Sequence, residues 1–283
     1  MPFRDFALLV LICLIWAVNA VLSRHVIAGL AVPALFFAFS RFVVSTAVLF
    51  PRLLPLPRPL APVLLVGLLV GAGHFGLLFA GFSLLESSTA AVLLQAGIPM
   101  TALLSMLLLK ERPGPVRLAG IALAFAGVVI VLWQPGQGGS VPGAVLVLLS
   151  AASLALGSVL LKRLVITPLQ LQAWTGFVSM PVLAVASFVA DSDPLARVGA
   201  HWAAFAGQLA FSALLVTVFS HTAYYRLLQR HDASLVSPLT LMFPLMTVAL
   251  GIGFLGERPS TGLAIGAPLV LAGVAAVLWR PRR

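Results

Sequence analysis

Residues 93–133 read LLQAGIPMTALLSMLLLKERPGPVRLAGIALAFAGVVIVLW, and residues 239–279 read LTLMFPLMTVALGIGFLGERPSTGLAIGAPLVLAGVAAVLW. A shift of about 146 positions superimposes Glu111-Arg112-Pro113 on Glu257-Arg258-Pro259, and Trp133 on Trp279. Each copy is almost wholly apolar apart from this charged corner. The chain is therefore predicted to contain a duplicated membrane half, an architecture typical of secondary transporters.

Composition places the chain in a lipid bilayer rather than in water. Hydrophobic residues make up 61% of the chain and charged residues only 8%, with a mean hydropathy of +1.13. Apolar runs of about 17 to 25 residues recur, and each is long enough to cross a hydrocarbon core about 30 Å thick. We predict an all-α membrane protein with ten transmembrane helices. The predicted helices cover residues 6–23, 32–50, 60–82, 88–109, 115–133, 142–161, 168–190, 202–225, 233–255 and 260–279.

The distribution of lysine and arginine sets the predicted orientation. With the N-terminus in the cytoplasm, only Arg24, Arg197 and Arg258 fall outside the membrane on the far side. This bias predicts cytoplasmic N- and C-termini, and it explains the net charge of +10 without a nucleic-acid partner. The residues predicted to lie inside are Arg4, Arg52, Arg58, Lys110, Arg112, Arg117, Lys162, Arg163, Arg226, Arg230, Arg280, Arg282 and Arg283.

The two halves are predicted to cross the membrane in opposite senses, because each holds an odd number of helices. The predicted architecture is therefore a pair of inverted five-helix repeats. The first repeat is predicted to cover residues 1–133 and the second residues 142–283, joined by an uncharged linker at residues 134–141.

Several short motifs carry a family resemblance: the Glu-Arg-Pro corner of each half with its following Ala-Gly-Val, Trp16-Ala17-Val18-Asn19, Arg41-Phe42, and Ser87-Ser88-Thr89-Ala90-Ala91. In these motifs the chain resembles the paired EamA repeats of the drug/metabolite transporter superfamily. The resemblance implies ten helices around a central cavity lined by helices 1, 3, 4, 6, 8 and 9. It also implies alternating access and, in many members, export of amino acids or related metabolites. The sixth helix departs from the family pattern at Leu154-Ala155-Leu156-Gly157, where an aromatic residue is frequent.

Pro99 and Pro244 occupy equivalent positions inside the fourth and ninth predicted helices. A proline removes a backbone donor and frees the carbonyl four residues earlier, which belongs to Gln95 in one repeat and Thr240 in the other. We expect Gln95 and Thr240 to face a cavity, because free backbone groups at membrane depth need one. The alternative is a pair of kinks satisfied by packing alone. Gly71 in the third helix serves either close helix packing or bending.

Histidine and aromatic residues form the other candidate sites. His74 and His221 nearly match across the repeat. They act either as neutral imidazoles bonded to a neighbouring helix, or as substrate ligands or proton-coupled groups. A stripe of aromatic residues on one helix face packs against another helix, contacts lipid or lines a pocket. A stripe that includes a polar residue favours a pocket, and the first two of the three stripes given next include one. The stripes are Trp16 with Asn19, His221 with Tyr224 and Tyr225, and Phe75 with Phe79 and Phe82.

Arg41 is predicted to lie about 12 Å along the second helix, at 1.5 Å per residue. No carboxylate is predicted at that depth, so its guanidinium is expected to bond either helix-end carbonyls or a substrate carboxylate. The same absence disfavours proton-driven export of cationic drugs. Glu111 and Glu257 are instead predicted to stand at the starts of their following helices, where they meet positive dipole ends.

The sequence disfavours an enzyme. It contains no HExxH or GxSxG motif, its loops are too short for a catalytic domain, and one cysteine, Cys13, excludes an intrachain disulfide. No cofactor or metal is expected, and an intramembrane hydrolase using His74 or His221 is a remote alternative.

We predict a secondary transporter of the bacterial inner membrane that exports a small amphipathic metabolite. Neutral and aromatic amino acids are the first candidates, and apolar drugs or other metabolites are the alternative. The expected partners are a small-molecule substrate and the lipid bilayer, and the chain is expected to act as a monomer. The candidate substrate-binding residues are Trp16, Asn19, Arg41, His74, Phe79, Gln95, His221, Tyr224, Tyr225 and Thr240, and the candidate hinges are Gly71, Pro99 and Pro244.

Overall fold

The computed structural model describes residues 1–110, 114–133, 140–191, 193–231, 236 and 239–278, without the side chains of residues 225, 228 and 229. Throughout this part of the chain the regular structure is helical, with no strand. It contains nine helices that are long and apolar enough to cross a membrane, and a shorter apolar helix of similar character. The predicted all-α membrane fold is confirmed.

The helices follow one another with short connections. The first repeat contains α1 (Phe3–Gly29), α2 (Ala34–Leu53), α3 (Leu60–Phe82), α4 (Ser87–Leu109) and α5 (Pro115–Leu132). The second contains α6 (Val141–Leu161), α7 (Pro168–Ala190), α8 (Trp202–Tyr224, continuing to Arg230), α9 (Met242–Leu255) and α10 (Thr261–Leu278). Because the connections are short, successive membrane helices run in opposite directions. The end of the bundle that carries the N-terminus is called the inner end, and the opposite end the outer end.

Helices α4 and α9 end in the same way, as the repeat requires. Lys110 after α4 and Gly256 after α9 both adopt left-handed backbone, with φ of 57° and 63°. A left-handed residue ends a helix and turns the chain away from the helix axis. The predicted corner at Glu111 and the predicted start of the ninth helix at residue 233 lie outside the described residues, as does most of the predicted linker.

Helices α5 and α10 pack tightly against each other. A Cβ added at Gly120 of α5 would lie 2.8 Å from the carbonyl oxygen of Gly273 in α10, and one added at Gly127 would lie 2.8 Å from that of Gly266. In lipid, helices associate largely through such close packing of small residues. These two helices therefore pack as a pair, and neither contributes a residue to the cavity described below.

Helices α3 and α8 each contain a π-helical segment, Leu69–Gly76 and Phe211–Ser220. π-Helical turns are rare and occur often at functional sites. His74 lies within the first segment, and His221 follows directly after the second. The matching irregularities place both histidines at equivalent points of the two repeats.

Gly71 lies in the π-helical part of α3, against α7. No Cβ would fit at Gly71 beside Ser179, whose hydroxyl accepts a hydrogen bond from the Ala72 amide at 2.8 Å. This contact supports the packing interpretation of Gly71. Its role as a hinge stays a prediction.

Candidate functional site

A cavity of about 410 Å³ lies inside the bundle. Its wall is formed by α1, α3, α4, α6, α8 and α9, the helices that the resemblance implies. Cavities of this size commonly hold small-molecule ligands. The predicted site residues that line it are Trp16, Asn19, His74, Phe79, Gln95, His221, Tyr224 and Thr240.

Trp16 of α1 forms an aromatic corner of the cavity with α8. Its indole nitrogen donates a hydrogen bond to the Ser220 hydroxyl at 3.1 Å. The Tyr224 ring meets the indole edge to face with 5.3 Å between centroids, and the His221 ring lies 5.7 Å away. Such contacts stabilise aromatic rings in fixed orientations. The Tyr225 side chain, predicted to share this face, lies outside the described residues.

His221 is held by a polar side chain from α7. The amide nitrogen of Gln172 lies 3.2 Å from Nδ1 of His221. An amide nitrogen only donates, so Nδ1 accepts and the imidazole is uncharged in this arrangement. His221 thus presents a neutral polar ring to the cavity.

His74 forms hydrogen bonds with Ser150 of α6. Its Nδ1 lies 2.8 Å from the hydroxyl and 3.3 Å from the carbonyl of Ser150, while that hydroxyl donates to the His74 carbonyl at 2.8 Å. Nδ1 therefore carries the proton that it donates to Ser150. These contacts match the interpretation of His74 as a side chain bonded to a neighbouring helix, and the same ring also borders the cavity.

Asn19 belongs to a network at the outer part of the cavity. The amide nitrogen of Gln208 donates to Oδ1 of Asn19 at 3.1 Å and to the Ser23 hydroxyl at 2.9 Å. The three side chains are almost fully buried. Because buried polar groups of this kind fix one another's orientation, Asn19 is a rigid polar contact on the wall.

The backbone at Gln95 and Thr240 differs from the expectation drawn from the prolines. The Gln95 carbonyl accepts a hydrogen bond from the Ile98 amide at 3.0 Å, and the Thr240 carbonyl accepts one from Phe243 at 3.0 Å. Tight turns ahead of Pro99 and Pro244 thus satisfy both carbonyls, so the prediction that they are free is wrong. The side chains nevertheless border the cavity. Whether the two prolines act as hinges stays a prediction.

Arg41 does not line the cavity. It is fully buried and lies behind the wall, with its guanidinium carbon 4.0 Å from the centroid of the Phe75 ring. Its Nε and Nη2 donate to the hydroxyl of Thr217 at 3.1 and 2.9 Å. The expected bonds to helix-end carbonyls are therefore wrong, because a threonine hydroxyl on α8 takes their place.

At the outer end of the bundle, Glu257 joins the end of α9 to the start of α4. Its carboxylate accepts hydrogen bonds from the amide and hydroxyl of Ser87, at 2.7 and 2.6 Å, and from the amide of Ser88 at 3.0 Å. The Ser88 hydroxyl also donates to it. The carboxylate thus caps α4, where orphan amides and the helix dipole favour an anion. The prediction that Glu257 serves its own following helix is wrong.

Glu86 and Arg24 surround this cap. Partial burial raises the pKa of Glu86 above its ordinary value, and the neighbouring Glu257 carboxylate raises it further. The backbone of Arg258 and the charge of Arg24 oppose these effects. The outer cluster therefore holds the carboxylates of Glu86 and Glu257 close together, with the charge of Arg24 acting on both.

Several lining residues were not chosen from the sequence. Phe75 and Phe82 border the cavity together with Phe79, although their stripe was ranked below those with a polar member. Polar side chains gather toward the inner end, where α4 contributes Thr101 and α6 contributes Ser158. The aromatic stripe was a usable signal, whereas single Ser and Thr residues in apolar helices gave none.

Comparison with known proteins identifies the relatives of this chain. The model of the EamA-like transporter family matches residues 6–133 and again residues 141–279. A protein of Salmonella typhimurium described as a probable amino-acid metabolite efflux pump is 27% identical over 286 residues, covering 96% of this chain and 93% of the relative. Its Escherichia coli counterpart, described in the same words, is 28% identical with the same coverage.

Two further comparisons concern an uncharacterized protein and a solved structure. The uncharacterized transporter YvbV of Bacillus subtilis is 28% identical over 290 residues, covering 97% of this chain and 91% of the relative. A crystal structure that is 20% identical covers 98% of both chains with a TM-score of 0.62. At that identity the structural likeness shows a shared fold.

Proposed function

The chain belongs to the EamA-like transporter family, and from that premise we propose that it exports small amphipathic metabolites, with neutral and aromatic amino acids as its first substrates. The relatives described as probable amino-acid metabolite efflux pumps support this substrate class. Their bacterial origin supports the inner membrane as the location. The basic-residue bias supports cytoplasmic termini, so that the inner end of the bundle faces the cytoplasm.

The composition of the cavity wall is the observation that supports this function best. Aromatic rings from α1, α3, α8 and α9 border it, and a few neutral polar groups such as Asn19 and Gln95 lie among them. Pockets that bind amphipathic solutes combine apolar walls with a small number of placed polar groups.

We propose that the chain transports by alternating access, in which the cavity opens to one side of the membrane at a time. The polar lining lies toward the inner end, while the Glu257 cap joins α4 to the end of α9 at the outer end. We assign this arrangement to a state that receives solute from the cytoplasm. Release to the outside requires the contact between Glu257 and the start of α4 to break.

The side chains that line the cavity indicate how transport is driven. Among the described residues that line the cavity there is no carboxylate, so we propose that flux follows the gradient of the solute. Steady-state accumulation in proteoliposomes is then unchanged by an imposed pH gradient. Accumulation that follows the pH gradient and is lost in His74→Ala or His221→Ala would instead identify a histidine as the coupling group.

Counterflow in proteoliposomes tests the substrate class. Liposomes loaded with unlabelled solute are diluted into labelled L-phenylalanine, L-leucine, L-methionine or an apolar drug, with protein-free liposomes as the blank. We expect counterflow with the amino acids. Asn19→Ala and Gln95→Ala are expected to weaken it, and Gln170→Ala, at a half-buried glutamine near the inner end and outside the cavity, is the matched control that leaves it unchanged.

Different outcomes separate the alternatives. Counterflow with the drug alone would replace amino acids by apolar solutes, and no counterflow with any solute would contradict the proposed function. The orientation has its own test in a Cys13→Ser background. An Arg58→Cys variant should resist a membrane-impermeant maleimide added to intact cells, and rapid labelling would reverse the topology.

A further inference from the structure

Arg41 is a charged side chain whose hydrogen bonds are only partly satisfied. Two of its nitrogens, Nε and Nη2, share one acceptor, the hydroxyl of Thr217. The third, Nη1, is buried and has no hydrogen-bond partner. A guanidinium carries five N–H donors, so a single hydroxyl oxygen leaves much of its capacity unused. In apolar surroundings such unused donors are costly.

None of the described carboxylates forms an ion pair with Arg41. Each of them lies at a helix end or in a loop and bonds a side chain or a backbone group there, Glu86 through the backbone of Arg258. The pairs are Asp5 with His231, Asp191 with Arg197, Asp193 with the Ala196 amide, and Glu257 with Ser87 and Ser88, while Glu86 precedes α4 at the outer end. The positive charge of Arg41 is therefore not neutralised by this part of the chain.

The guanidinium lies one aromatic ring away from the cavity. Its carbon is 4.0 Å from the Phe75 centroid and 5.7 Å from the Phe79 centroid, and both rings line the cavity wall. Thr217, its hydrogen-bond partner, follows Val216, which also lines the wall. A charge separated from the cavity by an apolar ring attracts an anion there more strongly than it would across the same distance in water.

Packing alone gives no reason for an arginine here. A ring face offsets only part of the lost hydration of a cation, and an apolar side chain of similar volume would avoid that loss. Ionisable residues inside a membrane bundle commonly mark the path of a substrate or ion. Arg41 has the burial, the free donor and the position that such a role needs.

We propose that Arg41 is the anchor for a carboxylate on the transported solute, with Phe75 as the side chain that moves to admit it. The carboxylate accepts hydrogen bonds from Nη1 and Nη2, and Thr217 keeps the guanidinium in place through Nε. The solute class is then narrowed to carboxylate-bearing amphiphiles such as amino acids. This assignment rests on the proposed function.

A competition experiment tests the anchor. Counterflow of labelled L-phenylalanine is measured against unlabelled L-phenylalanine and against L-phenylalaninol, in which a hydroxymethyl group replaces the carboxylate. In the wild type we expect the amino acid to compete about 10- to 100-fold better than the alcohol, as for hydrogen bonds to a charged group. Arg41→Met is expected to reduce this ratio to less than about threefold.

Two further variants keep the experiment decisive if Arg41→Met does not fold. Arg41→Lys retains the charge but not the fork, so an intermediate ratio is expected. Arg197→Met removes an exposed arginine at the outer surface and should leave the ratio at its wild-type value.

The outcomes separate this inference from the proposed function. If wild-type protein transports phenylalanine but phenylalaninol competes equally well, the anchor is wrong and the transporter assignment stands. A ratio that survives in both Arg41 variants overturns the anchor in the same way. If no labelled amino acid shows counterflow with the wild type, the proposed function fails and the anchor fails with it.

Discussion

Two buried charged side chains in this bundle differ in how fully their hydrogen bonds are satisfied. Glu257 at the outer end accepts hydrogen bonds from the amides and hydroxyls of Ser87 and Ser88, so its carboxylate is well satisfied. Arg41, deeper in the membrane, shares one hydroxyl of Thr217 between two nitrogens and leaves Nη1 without a partner. Both side chains are more than nine-tenths buried.

The difference indicates different roles. A charge that is fully hydrogen-bonded by its own protein stabilises the contact that it makes, and here that contact joins α9 to the start of α4. A charge left partly unbonded lowers stability, and it is retained usefully only if another molecule completes its bonding. We therefore interpret Glu257 as holding the outer end closed, and Arg41 as the group that binds the solute.

The largest expected effect is on stability at the outer end. Glu257→Gln removes the charge and places an amide donor against the donors of Ser87 and Ser88, so we expect a loss of about 2 to 3 kcal/mol. Thermal unfolding in detergent, followed with a thiol dye that reacts with buried Cys13, measures it. An unchanged melting temperature would show that Glu257 does not stabilise the outer end, and its contrast with Arg41 would be wrong.

The second prediction concerns access from outside. Ala90 lines the cavity near the outer start of α4 and is fully buried. In a Cys13→Ser background, Ala90→Cys should resist an impermeant maleimide on intact cells, and adding Glu257→Gln should speed labelling about tenfold, equivalent to 1.4 kcal/mol. Ser83→Cys, in the exposed outer loop, should label equally in both backgrounds.

The third prediction tests how Arg41 is held. Thr217→Val keeps the side-chain shape but removes the only described hydrogen-bond acceptor of the guanidinium, so we expect a loss of about 1 to 2 kcal/mol. In an Arg41→Met background the same change should cost almost nothing. A double-mutant cycle of melting temperatures gives the coupling, and additive effects would show that the two side chains do not interact.

The smallest effect is expected at Glu86. Its pKa is raised in the folded protein, so the ionised form is disfavoured there and the resulting instability appears only as pH rises through the raised value. Glu86→Gln should therefore raise stability slightly at pH 8, by less than about 0.5 kcal/mol for a group that is only partly buried, and not at pH 4. Equal differences at both pH values would contradict this sign.

The fold could be predicted from the sequence because lipid imposes few solutions. Long apolar runs become helices, a duplicated half with an odd number of helices becomes inverted, and polar residues at membrane depth face the interior. This rule placed His74 and His221 inside the bundle, while Gln95 and Thr240 were expected at the cavity because of Pro99 and Pro244. The resemblance supplied the set of helices that surround it.

The remaining contacts depend on packing between distant parts of the chain. Glu257 caps a helix that begins 170 residues earlier in the chain. The sequence does not distinguish Thr217 from other threonines, because its hydrogen bonds to Arg41 form only where α8 packs beside that side chain. The carbonyls of Gln95 and Thr240 were expected to be free, but tight turns satisfy them locally. Sequence periodicity gives the face on which a residue lies, and it does not give the partner that it meets.

Ligand-induced stabilisation tests the contrast between the two charges most directly. The melting temperature of wild type, Glu257→Gln and Arg41→Met is measured with and without saturating L-phenylalanine, since a ligand that binds the folded state raises it. We predict that Glu257→Gln melts lower than wild type but keeps the ligand-induced rise, while Arg41→Met melts no lower than wild type and loses the rise. A full rise in Arg41→Met, or its loss in Glu257→Gln alone, would contradict the account.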